Sequence, residues 1–328
     1  MDSNVLVIGE LNVDLVLSGL TSFPELGKET LASDFRMTLG SASAIFSCGM
    51  ARLGHSVTFI SKVGQDDFGR FCLAELEHAN ISTAGVLQSP GSATGVTIVL
   101  STRGDRALVT HLGTIAELRY TELQQLMFSG HRHLHLTSYF LQHALRPDFL
   151  TLIRQAKRAG LTVSFDPNSD PAQTWDADIL RIFAEVDFLF LNEAEAIAVT
   201  RQIALRDAVR ILQSYAACSV VKLGSKGAVG VRAGDVIHAP GYLIDAVDTT
   251  GAGDSFAAGF IHGMLLGLEL AECLTLGNAA GALSTRETGG TGGQADRSTL
   301  DQFVRDNAHP SLKAFEQNWL SLEGKPAL

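Results

Sequence analysis

The sequence predicts an α/β protein in which a mainly parallel central sheet is covered by helices on both faces and carries a small β lid. Short apolar runs rich in β-branched residues alternate with longer amphipathic stretches, which is typical of βαβ units with right-handed crossovers. Two other segments alternate strictly between apolar and polar residues. The composition, 46% hydrophobic and 18% charged among 328 residues, is that of an ordinary globular protein.

The apolar runs that predict strands of the main sheet lie at residues 5–9, 57–63, 133–137, 161–166, 187–192 and 219–224. Helix-length amphipathic patterns lie between most of them, such as PDFLTLIRQAKRAG before the fourth run and ALRDAVRILQSYAA before the sixth. In such a sheet, ligands bind beyond the carboxyl ends of the strands, where loops lead into helices. We therefore expect the site at that edge.

The two segments that break this rhythm are LNVDLVLSG (11–19) and TGVTIVLSTRGDRALVTHLG (94–113). Both alternate like half-exposed strands, and the second has a Gly-Asp turn at Gly104 and Asp105 between two β runs. We expect a lid built from about residues 11–36 and 92–113. Because no Pro- or Ser-rich linker, repeat or charge block occurs, the sequence predicts a single domain over residues 1–328.

Charge and composition limit the classes of partner. A formal net charge of −10 offers no basic surface, which argues against nucleic acid or membrane as a partner and favours small molecules. The four cysteines lack zinc-ligand spacing and fit buried thiols in a reducing compartment. The N-terminal apolar run is too short for a signal peptide, so we expect a cytoplasmic protein.

Residues 248–260, DTTGAGDSFAAGF, place small residues and a carboxylate at the start of a predicted helix. Gly251, Ala252 and Gly253 carry almost no side chain, so their N–H groups can approach a ligand at the positive end of the helix dipole. The pattern predicts an anion cradle with Asp254 inside it. Ordinary capping by Thr and Asp is the alternative. Capping alone, however, does not require two glycines that weaken the helix start.

The first strand leads into VIGELNVD, which has a single glycine, and no GxxxxGK[ST] occurs in the chain. Dinucleotide binding after a first strand requires GxGxxG. A nucleotide-dependent oxidoreductase is therefore disfavoured, and the cradle suits a phosphate better.

The stretch 248–260 resembles, almost residue for residue, the C-terminal signature of the ribokinase-like (PfkB) carbohydrate kinases, and residues 39–69 are similar to their N-terminal signature. The order of segments fits that family from about residue 4 to about residue 305. The resemblance implies a ribokinase-like fold. It also implies ATP-dependent phosphorylation of a primary hydroxyl on a small neutral sugar, with ATP and Mg²⁺ as cofactors.

In this family the matching carboxylate acts as the base, which assigns that role to Asp254. The resemblance also implies an anion hole at Gly251, Ala252, Gly253 and Asp254. This division of labour fits phosphoryl transfer, which depends mainly on positioning and electrostatics. A helix N-terminus is expected to lower the pKa of Asp254, which would make proton transfer late.

On the nucleotide side, FLNEAEA matches the family's Asn-x-x-Glu with Asn192 and Glu195. The resemblance implies that they act on the phosphates and the magnesium, Glu195 through water. The alternative is a capping box, Asn at N-cap with Glu three residues on. Asp248 and Thr250 fall where many members hold a monovalent cation, for which K⁺ is the candidate, a hard ion that suits oxygen ligands.

The segment VVKLGSKGAVG (220–230) matches the family's strand and turn beside the nucleotide. The resemblance brings Lys222, Gly224 and Gly227 into the nucleotide site, whereas the bare pattern indicates a hairpin turn. Asn278 corresponds to a residue that lines the adenine pocket in the family.

On the sugar side, GELNVDLVL places Asn12 and Asp14 on one face of a lid strand. A solvated edge face explains the alternation without any ligand. In the family the matching Asp accepts hydrogen bonds from sugar hydroxyls, and the residues matching Gly40 and Ser41 also bind substrate.

Four positions depart from the family pattern. Ser41 stands where the family has the second residue of a Gly-Gly pair. Ala42 and Ile45 stand where the family has polar side chains that contact the sugar, and Asp170 stands where members acting on fructose or keto-acid sugars have Arg. We expect a neutral substrate with one less hydroxylated face, such as a deoxy-sugar or the ribosyl part of a nucleoside.

The alternatives are a nucleoside kinase of the same family and a catalytically silent sugar-binding protein. The second is disfavoured because Asp254, Asn192 and Glu195 are all present. Exposed lid strands also invite pairing with a second copy, so the sequence predicts a homodimer through the lid.

Overall fold

A computed structural model describes residues 4–102, 106–123 and 128–307. The strands are β1 (Asn4–Ile8), β2 (Asn12–Leu20), β3 (Asp34–Leu39), β4 (Ser56–Gly64), β5 (Val86–Ser89), β6 (Gly95–Thr102), β7 (Arg106–His111), β8 (His133–Thr137), β9 (Thr162–Asp166), β10 (Phe188–Asn192), β11 (Cys218–Lys222), β12 (Ala228–Arg232) and β13 (Asp235–Ala239). The helices are α1 (Ala42–Arg52), α2 (Asp67–His78), α3 (Phe149–Arg158), α4 (Ala177–Phe183), α5 (Glu193–Thr200), α6 (Leu205–Leu212), α7 (Ala252–Leu265), α8 (Leu270–Ser284) and α9 (Arg297–Asp306).

The main sheet has nine strands in the order β13-β12-β11-β10-β9-β8-β1-β4-β5. The seven strands from β11 to β5 run parallel, while β12 and β13 form an antiparallel edge. Central strands such as β8 are buried along their whole length, as expected for a parallel sheet covered on both faces. The predicted mainly parallel sheet is confirmed.

Helices cover both faces of this sheet and form two apolar cores. Phe46 of α1 and Phe260 of α7 belong to the core on one face, and Phe149 of α3 and Phe183 of α4 belong to the core on the other. The long apolar helices α7 and α8 lie on the first face, which fixes the amino end of α7 beyond the carboxyl ends of the strands. Within the described ranges no helix combines the length and apolarity that a membrane crossing requires.

The lid is a separate four-stranded sheet in the order β3-β2-β6-β7. The first predicted segment, 11–36, contains β2 but ends three residues short of the end of β3 at Leu39, and the second contains β6 and β7. The predicted Gly104–Asp105 turn lies outside the described residues. Asp14 pairs with Thr97, and Thr97 with Thr110, so these side chains share one face of the lid sheet.

Candidate active site

A cavity of about 220 Å³ lies between the lid sheet and the carboxyl ends of the main strands. Its lining includes the carboxylates of Glu10, Asp14 and Asp254 and the guanidinium of Arg106. The apolar part of the wall consists of Ala42, Ile45, Val99, Leu108, Ile115 and Leu141. Of the residues expected on the sugar side, Asn12, Asp14 and Ser41 line this cavity together with Gly251 and Asp254.

The predicted anion cradle is the first turn of α7. Gly251 is the N-cap in a left-handed conformation with φ of 69°, and a Cβ there would lie 2.9 Å from both Gly290 Cα and Ile45 Cγ2. Only glycine fits this position without strain. Amides of a first helical turn lack intrahelical acceptors, so they can serve a ligand. The Ala252 amide is partly engaged, because it donates to the Thr249 carbonyl over 3.3 Å.

Asp254 lies in this first turn, and its protonation differs from expectation. The helix terminus was expected to lower its pKa, but burial raises the pKa well above the ordinary value, opposed by the positive charge of Lys222. The charge of Asp166 raises it further. Burial, reinforced by neighbouring carboxylates, therefore outweighs the charge of Lys222, and the carboxylate is a stronger base than the sequence suggested.

Lys222 supplies the positive charge next to the cradle. Its Nζ donates to Asp166 Oδ2 over 2.5 Å, and a Cβ on Gly253 would lie 3.1 Å from the same Nζ. Burial lowers the pKa of Lys222, but the carboxylates of Asp166, Glu195 and Asp254 outweigh burial and raise it. The ammonium therefore stays charged between the carboxylates and the amino end of α7.

Asn192 and Glu195 form a complete capping box at the start of α5. Asn192 Oδ1 accepts from the Glu195 N–H over 2.9 Å, and Glu195 Oε2 accepts from the Asn192 N–H over 2.8 Å. Ser169 donates to Glu195 Oε1 over 3.1 Å. Burial and the charge of Asp166 raise the pKa of Glu195. The capping box is thus present, and it fixes the Glu195 carboxylate, whose charge acts on Lys222.

The predicted turn after β11 is the hairpin that joins β11 to β12, with Lys222 paired to Ala228. Gly224 and Gly227 both have positive φ, and a Cβ on Gly227 would collide with the Ala239 carbonyl oxygen. Asn278 of α8 donates to the carbonyls of Ala239 and Pro240 over 3.0 and 3.1 Å. Gly227 and Asn278 therefore hold the segment after β13 against the hairpin.

Asp248 and Thr250 form a hydrogen-bonded unit before the cradle. Asp248 Oδ1 accepts from the Thr250 N–H over 2.9 Å and from its hydroxyl over 2.7 Å, while Oδ2 accepts from the Gly289 N–H over 2.9 Å. Burial raises the pKa of Asp248, but these hydrogen bonds outweigh burial and lower it. Arg106 of the lid donates to Thr250 Oγ1 over 3.1 Å.

On the lid, Asn12 and Asp14 face the cavity and are buried, with exposed fractions of 4% and 9%, so the solvated-edge alternative is wrong. Asn12 Nδ2 donates to Asp14 Oδ1 over 2.9 Å. Burial raises the pKa of Asp14 to about 6, against the hydrogen bond from Asn12 and the charge of Arg106. A Cβ on Gly40 would collide with Asp14 Oδ1, so glycine is required beside this carboxylate.

Ser41 was expected to offer its hydroxyl to substrate, but the hydroxyl is engaged within the protein. Its Oγ donates to the Glu10 carbonyl over 2.6 Å and accepts from the Ala44 N–H over 3.0 Å as the N-cap of α1. Ser41 holds this geometry at φ of 76°. It lines the cavity as a structural residue.

Asp170 was expected to argue against acidic substrates, but its carboxylate turns into its own loop. It accepts from the N–H groups of Ala172, Thr174 and Trp175 over 2.7 to 2.9 Å. Burial raises its pKa, and these hydrogen bonds outweigh burial and lower it. Asp170 is also not among the residues that line the cavity. Asp170 therefore does not itself face the sugar, and the expectation of a neutral substrate rests on the absence of Arg at this position.

Sequence reasoning missed Glu10, Asp166 and Arg106. Glu10, 3% exposed, accepts from the Ala42 N–H over 2.7 Å and from the Thr137 hydroxyl over 2.8 Å. Glu10 and Asp166 follow or end predicted strands, so the rule that ligands bind at the carboxyl edge could have found them. Arg106 carried no such signal, because it faces the cavity through the pairing of the lid strands.

Comparison with known proteins identifies the family of this chain. The family model for the pfkB family of carbohydrate kinases matches residues 2–297. An ATP-dependent ribose-1-phosphate kinase of Halopiger xanaduensis is 33% identical over 290 residues, covering 87% of this chain and 93% of the relative. A 2-dehydro-3-deoxygluconokinase of Bacillus subtilis is 30% identical over 285 residues, covering 83% of this chain and 88% of the relative.

Among solved structures, a putative ribokinase II from E. coli in complex with ATP and Mg²⁺ superposes with a TM-score of 0.82 at 24% identity. The match covers 93% of this chain and 99% of that chain. This likeness shows that the fold is ribokinase-like. With the family model matched over most of its length, the chain belongs to the pfkB family of carbohydrate kinases.

Proposed function

We propose that this carbohydrate kinase uses ATP to phosphorylate a primary hydroxyl on a small neutral sugar or sugar-like substrate. One observation carries the proposal. Asp254, in the first turn of α7, shares a cavity with the buried lid carboxylate Asp14, so a small polyol can contact both. In-line transfer of the γ-phosphate would then take place at the amino end of α7.

Each side chain has a role in this proposal. Asp14 accepts hydrogen bonds from sugar hydroxyls, and its partner Asn12 orients it. Asp254, whose pKa is raised by burial, accepts the proton of the reacting hydroxyl. The amides of Gly251 to Asp254 stabilise the charge that develops on the transferring phosphoryl group.

On the nucleotide side, the ammonium of Lys222 faces the phosphates, while Gly224, Gly227 and Asn278 shape the nucleotide site. The residues present fit magnesium bound through water, because the buried Glu195 carboxylate is held in place by Asn192 and lies near Asp166. When bound there, magnesium would neutralise negative charge on the phosphates. Asp248 and the backbone carbonyl oxygen of Thr250 are oxygen ligands that suit a monovalent cation, with K⁺ as the candidate, while the Thr250 hydroxyl is engaged by Arg106 and Asp248.

Two features of the cavity lining bear on the substrate class. The apolar wall that includes Ala42 and Ile45 favours a substrate with one less hydroxylated face, so a nucleoside kinase is the alternative. A sugar bearing an anionic group is favoured by a different observation, since Arg106 also lines the cavity. The relative from Halopiger xanaduensis, named for ribose-1-phosphate, supports including such sugars in the test.

The protein is also proposed to form a homodimer through the outer face of the lid. On that face Phe35, Met37, Ile98 and Val109 are exposed by 37 to 59%. One row across the four lid strands consists of Met37, Leu15, Ile98 and Val109, each paired with the next. An apolar strip of this kind on a soluble domain marks a contact surface.

The experiment for the proposed function is a coupled ADP-formation assay with MgATP and a panel of substrates. The panel contains deoxy-sugars, pentoses, ketohexoses, nucleosides, sugar phosphates and keto-acid sugars. We expect ADP formation above the background ATPase with at least one neutral sugar or nucleoside. No stimulation by any member, combined with a sugar-induced rise in melting temperature, would instead indicate a silent sugar-binding protein.

A further inference from the structure

The lid contacts the catalytic core through a hydrogen bond between side chains of the two. Arg106 begins β7 in the lid, and its Nη1 donates to Oγ1 of Thr250 over 3.1 Å. Thr250 lies one residue before Gly251, the N-cap of α7. A side chain of a lid strand is thus hydrogen-bonded to the residue that leads into the anion cradle.

Thr250 is in turn hydrogen-bonded to the core. Its hydroxyl donates to Asp248 Oδ1 over 2.7 Å, and Asp248 Oδ2 accepts from the Gly289 N–H over 2.9 Å. The hydroxyl therefore accepts from the lid and donates to the core, which uses its single proton and one of its lone pairs. The chain runs from the lid through Thr250 and Asp248 to the loop at Gly289.

Electrostatics favour the same placement of the guanidinium. The positive charge of Arg106 acts on Asp14 in the lid and on Asp248 in the core. An arginine whose donors are fixed in a planar fork, hydrogen-bonded to Thr250 and lining the same cavity as Asp14, can hold the lid at one separation from the core. Arg36, another lid arginine, pairs with Asp34 on the exposed edge strand β3 instead.

We propose that Arg106 is a positioning residue that latches the lid to Thr250 and so holds the anion cradle in its working geometry when the lid covers the sugar. This inference rests on the proposed kinase function for its catalytic consequence. The latch itself is a contact within the protein, so it can also be tested without any substrate.

The catalytic test is a double-mutant cycle with Arg106→Ala and Thr250→Val, using the best substrate of the panel. We expect each single variant to lower kcat/KM by about 10- to 100-fold, the range for a hydrogen bond to a charged group. The double variant should fall little further than either single variant. Thr250→Ser, which keeps the hydroxyl, should stay within about threefold of wild type, and Arg36→Ala is the matched lid control.

The test without substrate is hydrogen exchange of the protein alone. Arg106→Ala and Thr250→Val should both speed amide exchange in residues 106–111 and 248–254, whereas Arg36→Ala should not. Unchanged exchange in these segments in Arg106→Ala would overturn the latch. So would single-variant losses in kcat/KM that multiply in the double variant, because Arg106 would then act on the substrate independently of Thr250. A wild-type enzyme that phosphorylates no sugar would refute the proposed function, and hydrogen exchange would still decide the latch.

Discussion

Lys222 Nζ lies 2.5 Å from Asp166 Oδ2, and these two residues end strands β11 and β9 on either side of β10. Their side chains are 14% and 2% exposed, so this ion pair is buried at the edge of the sheet from which the site is built. The pair holds a positive charge against the amino end of α7, in a neighbourhood otherwise rich in carboxylates.

Removing Lys222 from its buried ion pair with Asp166 should destabilise the folded protein. We expect Lys222→Met to lower the free energy of unfolding by about 3 to 5 kcal/mol, because Asp166 would be left buried without its counter-charge. Urea denaturation measures this change. The double variant Lys222→Met with Asp166→Asn should recover a large part of the loss. A double variant as unstable as Lys222→Met would show that the unpaired Asp166 charge is not the cause of the lost stability.

The pH dependence of sugar use should report Asp14. With the pKa of Asp14 near 6, protonation below that pH removes the charged acceptor for sugar hydroxyls, so the KM for the sugar should rise by up to about tenfold per pH unit, whereas protonation of the base Asp254 should lower kcat. The KM for ATP should change much less, because Asp14 lies on the sugar side. A sugar KM that stays constant between pH 7 and about pH 5 would contradict this role.

As the pH falls, the contribution of Asp14 to the free energy of unfolding should increase, whereas its support of sugar binding should decrease. The folded-state pKa of Asp14 is raised from 3.8 to about 6, so its contribution favours folding below the unfolded value and is lost as the pH rises through about 6. Other carboxylates have lowered pKa values, so the comparison must be with Asp14→Asn. We expect wild type to gain stability relative to Asp14→Asn on going from pH 7 to pH 4, measured by urea denaturation.

The two glycines of the cradle should differ when each is replaced by alanine. Gly251→Ala places a Cβ at positive φ against Gly290 and Ile45 and should cost about 1 to 3 kcal/mol of stability. Gly253→Ala meets only the flexible end of Lys222, so the fold should tolerate it. Its kcat should nevertheless fall by about tenfold or more, because the ammonium is displaced from the cradle. Thermal unfolding and steady-state kinetics separate the two effects.

The exposed apolar strip on the lid predicts that a charge placed in it prevents dimer formation. Val109→Lys places a charge in the exposed apolar strip and should convert a dimer into a monomer in sedimentation velocity. Ile203→Lys is the control, since Ile203 is 98% exposed and lies away from the lid, after α5. A wild-type protein that sediments as a monomer at every concentration would refute the lid dimer.

The sequence predicted the parts of the molecule that local pattern determines. Period and residue type predict the alternation of strands and helices, the start of a helix after Gly251 and the lid face that carries Asp14. The pKa of Asp254 could not be predicted, since it depends first on burial and then on charged groups from β9, β11 and α5 that only the sheet order brings together. The orientation of Arg106 toward the cavity likewise depends on the register of β6 and β7. The orientation of the Asp170 carboxylate depends on hydrogen bonds within its own loop.

The central claim is that Asp254 takes the proton of the sugar hydroxyl inside the anion cradle, and Asp254→Asn tests it most directly. Asparagine keeps the size and polarity of the side chain, so the fold and ATP affinity should be retained, as thermal unfolding and nucleotide binding can verify. We expect kcat for sugar-dependent ADP formation to fall on the order of 100-fold or more. Turnover within a few fold of wild type would contradict the account.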